Sequence, residues 1–154
     1  MSTCILRALL DKLLTRDRLK RYGIVEQDFC VLCNSETETT HHLFFSCPYS
    51  SYIWSLCKLK LKLPPHHISL HAEAEEIKKS FSAKTKTYIL SRLVLTVAVW
   101  HIWQERNRKI FQQEQLHKIK LFRRLYEDVL VLMQSCHWKE SNSALEQEIL
   151  SNWS

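Results

Sequence analysis

With one glycine and three prolines in 154 residues, the chain has almost no material for tight β-turns or hairpins, which excludes an all-β architecture and predicts a mainly α protein. The single glycine also excludes a Gly-rich phosphate loop, while the net charge of +6 is unevenly spread, so its distribution matters more than the total. The length suits one domain with a real core, or a small knuckle joined to a helical body.

Apolar residues at Ile5, Leu6, Leu9, Leu10, Leu13 and Leu14 predict a first helix over 5–14. A second helix is fully punctuated. Thr15 can cap it, Asp17 sits where the helix dipole favours an acid, and Leu14 and Leu19 are spaced as a hydrophobic staple. Gly23 supplies the left-handed position after the last turn, with Ile24 placed to fold back on Leu19, so the helix ends near Tyr22.

The chain then enters Cys30-x2-Cys33, followed by His41-His42 and Cys47. Two cysteines separated by two residues can reach one metal from a tight turn, and a histidine and a third cysteine complete a tetrahedron. Three thiolates and one imidazole leave no open position, so one structural Zn2+ is expected rather than a catalytic one. A redox Cys-x2-Cys pair would call for a βαβ pattern, which is missing; cysteines close in sequence by coincidence are the other alternative. Either adjacent histidine could be the fourth ligand. A short helix starting at Thr39 or Thr40 and running through Leu43, Phe44 and Phe45 favours His42. The segment between Ile24 and Pro48 has few large apolar residues, so metal binding is expected to couple to its folding.

Pro48 can open the next helix, with Tyr49, Tyr52, Ile53, Leu56 and Leu59 at helical spacing and Pro64-Pro65 after it. Residues 64–70 read as a loop. Its histidines His66, His67 and His71 lack a further ligand and read as loop residues, not a second metal site. Glu73, Glu75 and Glu76 ahead of Lys78 and Lys79 match the dipole of a short exposed helix. A long helix over 86–112 follows, with Ile89, Leu93, Val97, Trp100, Trp103, Asn107 and Ile110 along one side and Leu90, Val94 and Ala98 widening the apolar face. Its apolar half is too short to cross a bilayer and contains Arg92, so no membrane association is expected. Leu116, Ile119, Phe122, Tyr126, Val129 and Met133 mark another amphipathic helix, with Leu121, Leu125 and Leu132 widening its buried face. Residues 139–154 read as a loosely ordered acidic tail.

Several of these residues carry a resemblance. Leu13-Leu14-Thr15-Arg16-Asp17-Arg18-Leu19-Lys20-Arg21, Cys30-Val31-Leu32-Cys33, Thr40 to Cys47, Pro48-Tyr49-Ser50 and Ile53-Trp54 together resemble the zinc-binding domain that follows the polymerase in plant LINE-type (non-LTR) reverse transcriptases. A weaker echo follows at Trp100-His101-Ile102-Trp103-Gln104-Glu105-Arg106-Asn107. The resemblance implies Cys30, Cys33, His42 and Cys47 as the zinc ligands. His41 stands where that family more usually has an acid.

The organisation expected is a zinc-binding domain over 1–63, a helical body over 64–138 and the acidic tail. Arg7 to Arg21 carries six basic and two acidic residues, Val25 to Ser50 four acidic and no basic ones, and Gln104 to Arg124 seven basic and two acidic. The knuckle is therefore acidic, and any phosphate contacts should come from flanking helices, through Arg16, Arg18, Lys20 and Arg21 on one and Arg106, Arg108, Lys109, Arg123 and Arg124 on the other. Arg106 and Asn107 also read as the ionic, hydrogen-bonded end of a buried helix. No Asp-Asp pair exists for metal-assisted phosphoryl transfer, and the polymerase and RNase H domains that the resemblance leads one to expect are missing, so a non-enzymatic module is expected. RNA or DNA is the expected partner, with a reverse transcriptase in trans or another protein beside it. A helical interaction domain and a translated retroelement fragment without a selected role are the alternatives. With no secretory signal and no disulfide framework, an intracellular reducing compartment is expected.

Overall fold

The computed structural model describes residues 2–66, 69–135 and 143–154. It is mainly helical, 68% helix with no strands among the described residues, with the Cys-Cys-His-Cys cluster near the N-terminus. The elements are α1 (Ser2–Leu9), α2 (Arg16–Arg21), a single π-helical turn (His42–Ser46), α3 (Pro48–Leu61), α4 (Leu70–Ser80), α5 (Lys86–Gln112), α6 (Lys118–Gln134) and α7 (Ala144–Ser151).

The first helix stops at Leu9 rather than Leu14. Asp11 takes a left-handed conformation (φ 50°), a state that a short polar side chain tolerates, and the Lys12 amide closes back on the Arg7 carbonyl. This break drops Leu13 into the core. In α2 the expected C-terminal device is present: Gly23 has φ +70°, its amide reaches the Lys20 carbonyl, and the Ile24 amide reaches the Leu19 carbonyl. The Thr15 hydroxyl donates to Asp17 instead of accepting from a backbone amide.

The core centres on α5, which touches α1, α3, α4, α6, α7 and the π turn. That crowding explains why its apolar residues do not form one stripe: Leu90, Val94, Leu95, Val97, Ala98, Val99 and Ile102 are all buried, whereas Ile89, expected inside, is exposed. On α6 Leu121, Leu125 and Val129 are buried and Phe122, Tyr126, Leu132 and Met133 pack partly buried against the core, so of the expected face only Ile119 lies in solvent. Phe44, Phe45 and Trp54 are at most 3% exposed, with Phe45 edge-on to Trp54 at 6.5 Å. They fill the core and offer no surface for a base.

Two expectations are corrected. The short helix α4 is not simply exposed: Glu73 is buried against Lys58 of α3, with Nζ and Oε1 2.8 Å apart, and Leu70 and Ile77 are buried beside it. The C-terminal segment is not loose where the structure describes it. In residues 143–154, helix α7 packs on α5, Ile149 and Trp153 are fully buried, and Trp153 stacks on Tyr126 at 5.4 Å. Lys60 reaches both rings and donates to the Asn152 carbonyl. Residues 139–142 lie outside the described residues. Packing also runs across the boundary expected at residue 63, since α3 lies against both α5 and α6.

Candidate metal centre

The Cys30-x2-Cys33 knuckle is built as a tight turn. The Asn34 amide bonds to the Cys30 carbonyl at 2.7 Å, and Asn34 itself is left-handed (φ 56°), a state for which asparagine is suited. An isolated antiparallel bridge between Phe29 and Thr37 brings the chain back, with the Cys30 amide bonded to the Glu36 carbonyl at 2.7 Å. Thr39 then starts the π turn, its hydroxyl accepting from the His42 amide at 3.0 Å. The turn closes with the Cys47 amide on the His42 carbonyl, and Cys47 leads into α3 at Pro48. One donor atom from each of Cys30, Cys33, His42 and Cys47 lies within 4.8 Å of the others.

The donor set fits zinc in chemistry and in size. The Cys30 and Cys47 sulfurs are 3.9 Å apart. A tetrahedron with Zn–S bonds of about 2.3 Å has edges of about 3.8 Å. Cys33 Sγ and His42 Nε2 are 3.3 Å apart, slightly inside the corresponding edge. The group would bring no catalysis here, because four protein donors fill a tetrahedral shell. Hydrogen bonding holds Cys47 well below the usual thiol range: it accepts from Cys30 first, and then, against desolvation, from the Ser50 and Tyr49 amides at the start of α3. Cys30, as donor in that pair and buried, is pushed up. A zinc ion would take the place of that shared proton.

The two histidines part ways clearly. His42 is buried with Nε2 in the cluster, and its Nδ1 stands 3.2 Å from Glu36 Oε2 without the alignment of a hydrogen bond, so a small turn of the exposed Glu36 would let the carboxylate orient a metal-bound imidazole. His41 is exposed, and its Nε2 lies 2.9 Å from Ser46 Oγ. His71 Nε2 bonds to the Leu9 carbonyl, His66 is exposed, and His67 lies outside the described residues.

Glu38 is the residue that sequence reading missed. Fully buried, it receives Arg106 Nε at 3.0 Å and Nη2 at 2.8 Å on Oε1, together with the Arg16 amide at 3.1 Å. Its Oε2 accepts from the Val31 amide at 3.3 Å, between the first two cysteines. One carboxylate thus joins the knuckle, the start of α2 and α5. Gln115 adds a second tie, donating to the Leu32 carbonyl at 3.2 Å.

Arg106, counted among candidate phosphate contacts, is corrected by this geometry. It is 4% exposed, bound to Glu38 and the Leu14 carbonyl, and lies over the Trp103 ring at 4.7 Å, so it serves the interior. The α2 run is also engaged locally. Arg16 donates to the Gln27 carbonyl, Arg18 pairs with Asp11, Lys20 with Asp28 and Arg21 with Asp17. Arg108 lies 3.5 Å from buried Glu105. Lys109, Arg123 and Arg124 have no carboxylate at ion-pair distance among the described residues, and both arginines are exposed.

Among the described residues no helix is long and apolar enough to cross a membrane. No curated protein and no solved structure matched the chain. Residues 1–54, which contain all four residues of the cluster, match the family model described as zinc-binding in reverse transcriptase.

Proposed function

We propose that the chain is a non-enzymatic, zinc-pinned nucleic-acid-binding module, derived from a reverse transcriptase of the plant LINE type. The observation that carries the reading is the uneven neutralisation of its basic residues. Those of α2 are matched one by one by nearby acceptors, whereas Lys109, Lys120, Arg123 and Arg124 around the α5–α6 connection have no carboxylate at ion-pair distance among the described residues. Such residues release condensed counterions when they meet a phosphate backbone, while locally paired ones must first break a bond. The zinc site in this reading is a brace, and the phosphate contacts lie on α5 and α6.

Fluorescence anisotropy of labelled RNA and DNA oligonucleotides across a salt series tests this. Affinity should fall steeply with salt, and the double variant Arg123→Gln, Arg124→Gln should lower the salt slope by about 1–2. Binding that ignores salt sinks the proposal. A second reading, a protein-interaction domain, draws on Leu6, Leu10 and Leu14, which are each more than half exposed. Concentration-dependent self-association with no oligonucleotide binding would favour it.

A further inference from the structure

We propose that the groove between α1 and α5 seats a base of a single-stranded nucleic acid, making the chain selective for unpaired strands over duplex. The inference rests on the nucleic-acid reading above and adds a specific seat to it. The groove has a volume of about 430 Å³, with Thr3, Arg7 and Leu14 on one side and Trp100, Trp103 and Gln104 on the other. That volume lies within the range of small-molecule sites.

Each wall matches one part of a nucleotide. Trp100, with the face of Trp103 away from Arg106, offers the π surface on which any base can stack, the Gln104 amide can both donate to and accept from a base edge, and the exposed Arg7 can meet a phosphate. Among the described residues no carboxylate lines the groove. An apolar helix laid into it would leave Arg7 and Gln104 unmatched, whereas a nucleotide uses all three features. The platform is also held in place before binding. Arg106 lies over the Trp103 ring and is itself fixed by Glu38, and Trp100 stands edge-on to His101 at 4.9 Å. Little side-chain freedom remains to be lost on stacking.

The neighbouring groove sharpens the assignment. Trp100 and Gln104 also wall a second space of about 270 Å³, which contains Arg108 and Arg124 but also Glu105, Glu127 and Asp128. Its acids equal or outnumber its bases, so a nucleotide seated inside it gains no net attraction, while the exposed Arg124 can still meet a phosphate that passes outside it. The acid-free groove is therefore the base seat. A duplex cannot use it, because paired bases keep their faces stacked within the helix.

The test is titration of the zinc-loaded chain with a short pyrimidine oligonucleotide as RNA and as DNA, with the corresponding duplex, and with an abasic strand of equal charge. Tryptophan quenching should accompany binding of the single strands and be absent with the abasic one. The Trp100→Ala variant should bind roughly 5- to 150-fold more weakly, the range expected for one lost stacking contact. Arg7→Gln, an exposed change that should leave the far-UV circular dichroism spectrum intact, should lower the salt slope by about 1. Salt-dependent binding that neither variant alters, or equal affinity for the abasic strand, overturns the groove and leaves the broader reading standing. Absence of oligonucleotide binding at low salt overturns both.

Discussion

Replacing Glu38 by glutamine should cost this protein a large part of its stability. The carboxylate is fully buried, and Arg106, only 4% exposed, places two guanidinium nitrogens at 2.8 and 3.0 Å from one of its oxygens. Removing one charge from such a pair leaves the other buried without compensation, at a cost of about 3–5 kcal/mol. Domain stabilities are of order 5–15 kcal/mol. For a chain of this size the loss corresponds to a melting temperature roughly 6–20 °C lower. Arg106→Met should do comparable damage from the other side. The double variant Glu38→Leu, Arg106→Met removes both charges, yet should recover only in part, because the Arg16 and Val31 amides lose their acceptor at about 1–3 kcal/mol each. Thermal melts of the four zinc-loaded proteins, followed by far-UV circular dichroism, rank them. Single variants that each lose less than about 1 kcal/mol would refute the argument, since the pair would then behave like a solvated surface bridge.

Other outcomes follow from the metal centre and from α5. Glu36→Ala, which removes the carboxylate beside His42 Nδ1, should weaken zinc affinity by about 10–100-fold in a chelator competition; unchanged affinity would show that the contact does not orient the ring. Native mass spectrometry should find no zinc in His42→Ala and one zinc in His41→Ala, and the reverse result would overturn the ligand assignment. His101 makes a pH prediction. Burial holds its imidazole below the ordinary value, against the upward pull of the Asp128 hydrogen bond and charge. The folded state thus binds this proton more weakly than the unfolded chain, so its contribution to stability is fully present above about pH 6.5 and is lost as the pH falls through the folded value. The melting temperature of His101→Gln should depend less on pH than the parent's in that window, and an identical dependence would exclude His101 as its source.

How much of this was legible in the sequence depended on whether a signal was local. The ligand spacing, the Gly23 stop of α2, Pro48 opening α3 and the 86–112 span of α5 each rest on residues close together in the chain, and the structure places them as the local chemistry requires. Facing was legible less well. Helical period says that a face is apolar, but α5 is enclosed by five helices, so no single stripe describes it, and on α6 the period does not tell that Leu121 and Leu125 lie deepest while Ile119 stays in solvent. Glu38 was illegible for a different reason. Its partner Arg106 is 68 positions away, and a glutamate in an acidic loop looks like any other solvated charge. Arg106 carried a readable hint beside Asn107 on an apolar helix, which is where a buried cation needs a distant acid. Trp153 offered only its size, since a lone tryptophan at the end of an acidic stretch shows no period.

Zinc removal connects these observations, because the groups between the ligands hold the rest of the fold. Val31 lends its amide to Glu38, Leu32 its carbonyl to Gln115, and Glu38 fixes Arg106, which lies over Trp103. Without the metal, four donors including three thiols would be left close together with only hydrogen bonds among them, and the knuckle has no sheet to retain its shape. Yet Leu43, Phe44 and Phe45 belong to the common core with Trp54 and α5, so the chain beyond His42 has an anchor independent of zinc. Chelation should therefore loosen residues 24–41 first and leave α3, α5 and α6 folded. Hydrogen exchange should show lost protection at the Cys30, Asn34 and Glu38 amides, all bonded within the knuckle, with the amides of 90–102 still protected. Tryptophan emission should shift as Arg106 loses its fixed acceptor above the Trp103 ring. Uniform loss of protection would make zinc a requirement for the whole fold, and no loss at all would mean that the knuckle stands without it; either result breaks the proposed division between a metal-held loop and a core-held body.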